Sequence, residues 1–396
     1  MGLVNVALRL TLLAALLGFP GATQATPEPP HKKIAGDAAC LSCHRDQGAS
    51  YLHTSHHLTS QPAHKDSILG SFHEGSNVLM IADPATATDN PGLYFKMEAK
   101  PNGFYQTAVA GWPGQLKTRS ERMDIVIGSG ARGQSYLYWH GDRLYELPVS
   151  YWSDGSRWIN SPGFKDGTMI FSRAVIPRCM ECHATFVQAR SPDPLGNQYD
   201  PASLVTGIAC ERCHGPGEAH IALHQARKTA TPDNSFTEAI LNPARLSRDR
   251  QVDLCALCHN GIRSEELVPA FSYVPGKSLD TYLHPNEGDL AAHPDVHGNQ
   301  VGLLEKSRCY VSSPNMSCST CHDIHQPERA AAAYSDRCLS CHRVESCGMS
   351  KTMGHKIAEN CVDCHMPVES TNAIASETAG QVIRPKMRNH WIKVYR

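Results

Sequence analysis

Cysteine and histidine recur in this chain in one short motif. Residues 318–365 contain three copies of Cys-x-x-Cys-His, which read CSTCH, CLSCH and CVDCH. In such a motif the two thiols add to the vinyl groups of a haem, and the histidine becomes the proximal ligand of the iron. The chain has seven copies, which use 14 of its 16 cysteines. The predicted haem-attaching cysteines are Cys40, Cys43, Cys179, Cys182, Cys210, Cys213, Cys255, Cys258, Cys318, Cys321, Cys338, Cys341, Cys361 and Cys364. The predicted proximal ligands are His44, His183, His214, His259, His322, His342 and His365.

Zinc is the main alternative, because paired cysteines also build zinc ribbons. A zinc site does not require a histidine directly after every second cysteine, whereas all seven copies have one. The pattern therefore favours seven covalently attached haems c over zinc or a redox dithiol.

The composition suits a chain whose core is partly cofactor. At 396 residues it would ordinarily form two or three domains, yet only 41% of its residues are hydrophobic. We expect a mostly α, irregular fold wrapped around a haem stack, with a small β-rich insert between the first two haems. The 37 basic and 38 acidic residues nearly balance, so the chain has no nucleic-acid footprint.

The N-terminus has the features of a secretory signal peptide. Arg9 precedes an apolar run over residues 10–17, and small residues near Ala25 provide a cleavage site. The run is too short to span a bilayer, and the mature chain shows no other transmembrane segment. We expect a periplasmic protein, with an extracellular location also open. Its partners would be redox proteins, either quinol-linked or periplasmic cytochromes, and the sequence leaves its oligomeric state open.

The motif spacing divides the chain into five segments. They are a signal peptide (1–25), an N-terminal segment with haem 1 (26–65), a β-rich insert (66–176), a multihaem domain with haems 2–7 (177–368) and a tail (369–396). The insert has strand patterns around two turn sequences, Pro101-Asn102-Gly103 and His140-Gly141-Asp142, which predict two hairpins with His140 exposed. It would shield haem 1 from water or dock a substrate or partner. Haems 5, 6 and 7 must be close neighbours, because their motifs start only 20 and 23 residues apart.

Distal iron ligands must come from the 15 histidines outside the motifs. His53, His56 and His57 follow haem 1 in a predicted helix, and we favour His57. His325 lies three residues after His322, so it would reach a neighbouring haem and not its own. The other candidates are His220, with His224 as its runner-up, and His297, His355 and His390.

Two cysteines, Cys309 and Cys347, lie outside the motifs. A disulfide is the simplest prediction in an oxidising compartment, with two free thiols or a cysteine ligand as alternatives. The tail over residues 381–396 has five basic and no acidic residues. It would fold back to place His390 on an iron and pair its cations with propionates, or else remain solvated.

Several longer stretches resemble a bacterial family of multihaem (heptahaem) cytochromes c. They are CERCHGPGEAH, SRCYVSSPNMSCSTCHDIHQ, NCVDCHMP and the closing NHWI. That family is related to the tetrahaem electron carrier of nitrifiers and, more distantly, to hydroxylamine oxidoreductase and pentahaem nitrite reductase. The resemblance implies parallel and perpendicular haem pairs, mostly bis-histidine iron and extracytoplasmic electron transfer. It supports as distal ligands His57, His220, His297, His325, His355 and His390.

The enzyme relatives differ from this chain at their catalytic positions. It contains no Cys-x-x-Cys-Lys motif, and no cross-linking Tyr of the hydroxylamine oxidoreductase kind can be placed. We therefore expect an electron-transfer protein more than a catalyst, and we assign no catalytic residue. The alternative is a multihaem oxidoreductase acting on a small nitrogen or sulfur compound. It would need an open iron, at haem 1 or 2, with His73 or His140 as a proton donor. A structural haem conduit is a third hypothesis.

Overall fold

A computed structural model describes residues 34–86, 88–227, 239–261, 265–284, 299–327, 329–371 and 374–395. The predicted signal peptide and His297 lie outside the described residues, as does the side chain of His355. About 29% of the structure is helical and 28% is strand. The expectation of a mostly α fold is therefore wrong.

The α-helices of the described residues are short. They are α1 (Asp37–Leu41), α2 (Arg45–Tyr51), α3 (Pro177–His183), α4 (Cys210–His214), α5 (Glu218–Arg227), α6 (Arg248–His259), α7 (Gln300–Leu304), α8 (Arg308–Ser312), α9 (Ala331–Leu339), α10 (Ser350–Met353) and α11 (Cys361–His365). Single 3-10 turns occur at His57–Thr59, Pro243–Arg245, Leu279–Thr281, Cys318–Thr320, Val344–Ser346 and Gly354–Glu359. No helix within these described ranges is long and apolar enough to cross a membrane.

The strands are concentrated in the first half of the chain. They are β1 (Ser60–Pro62), β2 (Val78–Ala82), β3 (Gly92–Lys100), β4 (Gly103–Trp112), β5 (Gln115–Met123), β6 (Ile125–Ile127), β7 (Gly133–His140), β8 (Arg143–Glu146), β9 (Val149–Trp152), β10 (Arg157–Asn160), β11 (Arg173–Ala174), β12 (Ala184–Ala189), β13 (Tyr199–Thr206), β14 (Glu265–Glu266), β15 (Leu283–His284), β16 (Val368–Ser370), β17 (Ser376–Thr378), β18 (Gln381–Ile383) and β19 (Lys386–Arg388).

Strands β1 to β11 form what we call the β-rich block. One antiparallel sheet has the order β2-β3-β4-β5, and a second has the order β1-β6-β7-β8-β11, with β9 pairing both β7 and β10. Both predicted hairpins are confirmed: β3 pairs β4 around the first turn sequence, and β7 pairs β8 around the second. His140 is exposed, as predicted.

The β-rich block has its own side-chain core. Leu93, Phe95 and Met97 alternate along β3, so all three point to the same buried face. They pack in one cluster with Tyr136 and Leu147 from the neighbouring sheet. This block therefore follows the two-residue period that amphipathic strands require.

The β structure extends beyond the predicted insert on both sides. Strand β1 precedes residue 66 and pairs with β6, while β12 and β13 follow residue 176 and pair with each other. The helices that carry motifs are mostly one or two turns, so they add little helical content. Strands recruited from the flanks and short motif helices together explain why the mostly α expectation failed.

The tail folds back onto the remainder of the chain. Strand β19 pairs with β16, and β18 pairs with β17. The backbone N–H of Ile392 donates to Ser307 Oγ at 2.7 Å, and Ser307 Oγ donates to the carbonyl oxygen of His390 at 3.1 Å. These bonds fix His390 beside α8.

Candidate cofactor-binding site

Residues from all seven motifs line one continuous cavity of about 3670 Å³. A typical small-molecule pocket is roughly 300–1,000 Å³, so this one has the size for several macrocycles. The wall is formed by every motif histidine and by 13 of the 14 motif cysteines, all except Cys179. The motifs are dispersed along the chain but converge on this single space.

Each motif is one helical turn, and that turn aligns its reactive groups. The backbone N–H of His44 donates to the carbonyl oxygen of Cys40 at 2.9 Å, and His322 and His342 repeat this bond to Cys318 and Cys338 at 2.9 Å. Residues i, i+3 and i+4 of a helical turn share a face. Both thiols and the imidazole of a motif therefore point to one side.

Four motif histidines each face a histidine from elsewhere in the chain. The ring centroids are separated by 6.3 Å for His44 and His220, and by 6.1 Å for His214 and His325. The distance is 6.2 Å for His322 and His390, and 5.9 Å for His56 and His259. The ring planes are within 22–24° of parallel in the first three pairs and perpendicular, at 89°, in the fourth.

This distance fits two imidazoles on opposite sides of one metal ion. Metal–imidazole bonds are about 2.0–2.1 Å, so two Nε2 atoms bound to one ion are about 4 Å apart. Each ring centroid lies about 1.1 Å behind its nitrogen, which gives a centroid separation of about 6.2 Å for the same bond length. The four pairs, from 5.9 to 6.3 Å, match that value. These residues fit the two axial ligands of a haem iron.

Backbone carbonyl groups orient several of these rings. The Nδ1 atom of His214 lies 2.9 Å from the carbonyl oxygen of Leu241. The Nδ1 atom of His365 lies 2.9 Å from the carbonyl oxygen of Lys393. In His390, Nδ1 lies 3.1 Å from the carbonyl oxygen of Arg388. A carbonyl oxygen only accepts, so Nδ1 carries the proton in each case. Nε2 is then the nitrogen available to a metal.

Two of the non-motif histidines have lowered pKa values. The pKa of His56, whose side chain is open to the cavity, is lowered to about 4 by desolvation and by the nearby His259 and His322. Burial also lowers the pKa of His390 to about 4. Only neutral imidazole has a lone pair for a metal, so both side chains are in the ligating form at neutral pH.

After the first motif, the structure places His56, and not the favoured His57, opposite a motif histidine. His56 lines the cavity and faces His259. His57 is instead 3.3 Å from a carboxylate oxygen of Asp37 and packs near Tyr51. Helix α2 ends at Tyr51, so the helical spacing assumed for these histidines does not apply to them.

The other predicted ligands have mixed outcomes. His220 and His325 line the cavity opposite His44 and His214, which belong to the first and third motifs. His224 also lines it, with its ring 4.4 Å from that of His220. His355 lies on the 3-10 turn before α11, whereas His73 and His140 are exposed side chains that do not line the cavity.

The predicted disulfide between Cys309 and Cys347 is not formed. All 16 cysteines lie within the described residues, and the structure joins none of them in a disulfide. Both of these cysteines line the cavity, and Cys309 lies near the motif cysteines Cys321 and Cys338. The rule that a leftover pair forms a disulfide does not describe this structure.

Motifs that are distant in sequence lie side by side. Cys182 of the second motif is a close neighbour of Cys258 of the fourth, and Cys255 of the fourth is a close neighbour of Cys318 of the fifth. Helix α9 packs on α11, where the N–H of Cys361 donates to Ser335 Oγ at 2.9 Å. The fourth motif thus contacts the second and the fifth, while the sixth adjoins the seventh.

The basic tail makes contacts with protein groups. Arg388 forms an ion pair with Asp363 at 2.8 Å. The Lys393 ammonium lies 3.4 Å from the centroid of the Trp391 ring. Both cations also line the cavity. The tail is therefore folded against the site, as one of the two sequence interpretations expected.

The comparisons with known proteins agree with these features. The family model "Cytochrome c554 and c-prime" matches residues 165–215. A protein described as "C-type polyheme cytochrome OmcB", from two strains of Geobacter sulfurreducens, is 28% identical over 163 residues. That match covers 37% of this chain and only 19% of the relative.

The fold is similar to that of the outer cell wall cytochrome OcwA. Its crystal structure superposes with a TM-score of 0.55 at 17% identity, over 91% of this chain and 80% of that one. At this identity the likeness concerns the fold alone. The repeated motif, the shared cavity and these similarities support a multihaem c-type cytochrome with covalently bound haem c.

Proposed function

We propose that this chain binds seven haems c and transfers electrons between redox partner proteins outside the cytoplasm. The observation that carries the proposal is the set of four histidine pairs, each with ring centroids 5.9–6.3 Å apart and each containing a motif histidine. Iron with two histidine ligands changes redox state with no ligand exchange, which suits an electron carrier. Bound haem c supplies reversible one-electron chemistry at its iron.

The pairs support distal ligands for four motifs. In this proposal His220 serves the first motif, His325 the third, His56 the fourth and His390 the fifth. For the second, sixth and seventh motifs we keep His297 and His355 as candidates without assigning either. The oxidoreductase alternative needs an open iron at haem 1 or 2. The position of His220 opposite His44 argues against an open iron at haem 1.

The protein's own residues have two tasks in this proposal. The thiols and imidazoles of the motifs would bind the haems. The carbonyl groups of Leu241, Lys393 and Arg388 orient histidine rings. A fixed ring with a hydrogen-bonded Nδ1 is a more basic ligand, which tunes the potential of the bound iron. Export, as the N-terminus predicts, would place the chain where haem c is attached and where periplasmic cytochromes can meet it.

The test is a haem count combined with low-temperature EPR on the oxidised, haem-loaded chain. We expect seven haems per polypeptide and low-spin signals. A clear high-spin ferric component would show an open iron, contradict the carrier proposal and favour the oxidoreductase. Nitrite, hydroxylamine and sulfite would then be the first substrates to examine.

Adjacent histidines provide a matched pair of variants for the ligand assignment. His56→Ala removes a ring that faces His259, so we expect one haem in seven to become high-spin. His57→Ala removes a ring that contacts Asp37, so we expect the wild-type EPR spectrum. The assignment of His56 fails if the two variants exchange these results or if both retain the wild-type spectrum.

A further inference from the structure

Residues 56–60 contact two haem motifs at once. The ring of His56 faces His259 of the fourth motif, with centroids 5.9 Å apart. Three residues later, Thr59 Oγ1 is 3.1 Å from Nδ1 of His183 in the second motif. Ser60 Oγ then donates to the carbonyl oxygen of His183 at 2.5 Å. Two consecutive side chains thus hold the same motif histidine, one by its ring and one by its backbone.

The backbone of this segment is fixed on both sides. The N–H of Ile208 donates to the carbonyl oxygen of His56 at 3.0 Å, and the N–H of Gly128 donates to that of Thr59 at 2.7 Å. Gly207 has a φ of +68°, and a Cβ at this position would lie 2.2 Å from the carbonyl oxygen of His57. The close approach therefore requires glycine. Thr59 is also β-branched, which restricts its χ1 angle.

His183 differs from the other histidines with an oriented Nδ1. The Nδ1 partners of His214 and His365 are backbone carbonyl oxygens. A side-chain substitution at the residue that carries such a carbonyl group does not remove it. The Nδ1 partner of His183 is a side-chain hydroxyl, on the residue just before strand β1 of the β-rich block. This ring is therefore held by a group that can be changed alone.

We propose that Thr59 is a positioning residue that orients His183 and lowers the reduction potential of the haem at the second motif. The inference rests on the proposed function, in which His183 ligates iron through Nε2. With Nε2 on the metal, Nδ1 carries the proton and donates to Thr59 Oγ1. That hydrogen bond makes the imidazole a stronger donor, which stabilises the ferric state relative to the ferrous state.

The test compares the reduction potentials of Thr59→Val and Thr59→Ser with those of the wild type. Valine keeps the shape but offers no acceptor, so one of the seven one-electron steps should move to higher potential. A change of up to about tenfold in that reduction equilibrium corresponds to ~59 mV. Serine keeps the hydroxyl and should restore the wild-type value. The measurement is a potentiometric titration of the haem-loaded full chain, with EPR of the same samples.

Thr185→Val is the matched control. Thr185 is 4% exposed, and its Oγ1 donates to the carbonyl oxygen of Gly207 and accepts from the N–H of Ala209, both at 2.7 Å. The hydrogen bonds of this hydroxyl lie in the same part of the structure, but they are made with backbone groups and not with the ring of His183. We therefore expect its seven potentials to equal those of the wild type, whatever stability it loses.

Three results would overturn the inference. They are an unchanged set of potentials in Thr59→Val, an equal shift in Thr59→Ser, and an equal shift in Thr185→Val. If Thr59→Val does not load haem, Thr59→Ala removes the hydroxyl without adding a methyl group against the ring, and the same single shift is required of it. Failure of the proposed function would appear already in the wild type, as missing haems or a high-spin signal.

Discussion

The β-rich block and the motif-bearing remainder of the chain, from α3 onward, have differently built interiors. In the block, Phe95, Met97, Tyr136 and Leu147 are each at most 1% exposed and pack on one another. The remainder, which we call the haem region, forms most of the wall of a cavity of about 3670 Å³. The block is stabilised by its own side chains, whereas the haem region combines side-chain clusters, such as the one around Leu257, with a cavity that haem would fill. The stability of the haem region should therefore be linked to haem, whereas that of the block should not.

The largest expected effect follows from producing the chain without haem attachment. We expect the backbone amides of α9 and α11 to lose nearly all protection from hydrogen exchange, because these helices bury few side chains against protein and their apolar partner would be missing. The amides of β3, β4 and β7 should retain theirs, since their core consists of side chains. Hydrogen exchange followed by mass spectrometry, with the haem-loaded chain as the reference, separates the two regions. Equal protection or equal loss in both regions would contradict the expected difference in their dependence on haem.

A smaller effect is expected from a cavity made within the block. Phe95→Ala should lower the free energy of unfolding of the block by about 3–5 kcal/mol, because it removes a fully buried ring. The haem absorption spectrum should stay unchanged until the block unfolds. The control is Leu116→Ala at the start of β5, where the side chain is 49% exposed and the cost should be within about 0.5 kcal/mol. Similar losses in both variants would show that this core does not stabilise the block.

The smallest effect concerns a carboxyl group inside the block. Burial raises the pKa of Glu146 from 4.5 to about 7, and Arg173, 3.3 Å away on the paired strand β11, opposes that rise. Between these pH values the folded chain keeps a proton that the unfolded chain releases. The contribution of Glu146 to the free energy of unfolding is therefore fully present below pH 4.5, and it decreases as the pH rises to about 7.

Glu146→Gln should flatten this pH dependence, as measured by urea unfolding of the block between pH 4.5 and 7.5. Glu98→Gln is a control that should leave the slope in this pH window unchanged, because Glu98 titrates below it. A hydrogen bond from Thr107 lowers the pKa of Glu98, so its contribution is present above pH 4.5 and is lost as the pH falls through the lowered pKa. A wild-type slope that survives in Glu146→Gln would mean that another group titrates.

The expected fold was partly correct, and its error has a physical cause. The hairpins over β3–β4 and β7–β8 were predictable because a turn sequence and alternating burial are local. The extension of the sheets to β1, β12 and β13 was not, because short strands gain their stability from partners distant in sequence. Counting motifs also overstated the helix content, since a motif needs only one turn.

The sequence by itself identified the residues that we expect to attach haem. The two cysteines and the histidine of a motif lie within five residues, and one helical turn is enough to put them on the same face. Only the tertiary structure decided which histidine lies opposite each of them. His220 faces His44 and His56 faces His259 across long stretches of chain, and His57, one residue away, turns instead to Asp37. The spacing along the chain does not encode these pairs, because each depends on how separate segments pack around one shared cavity.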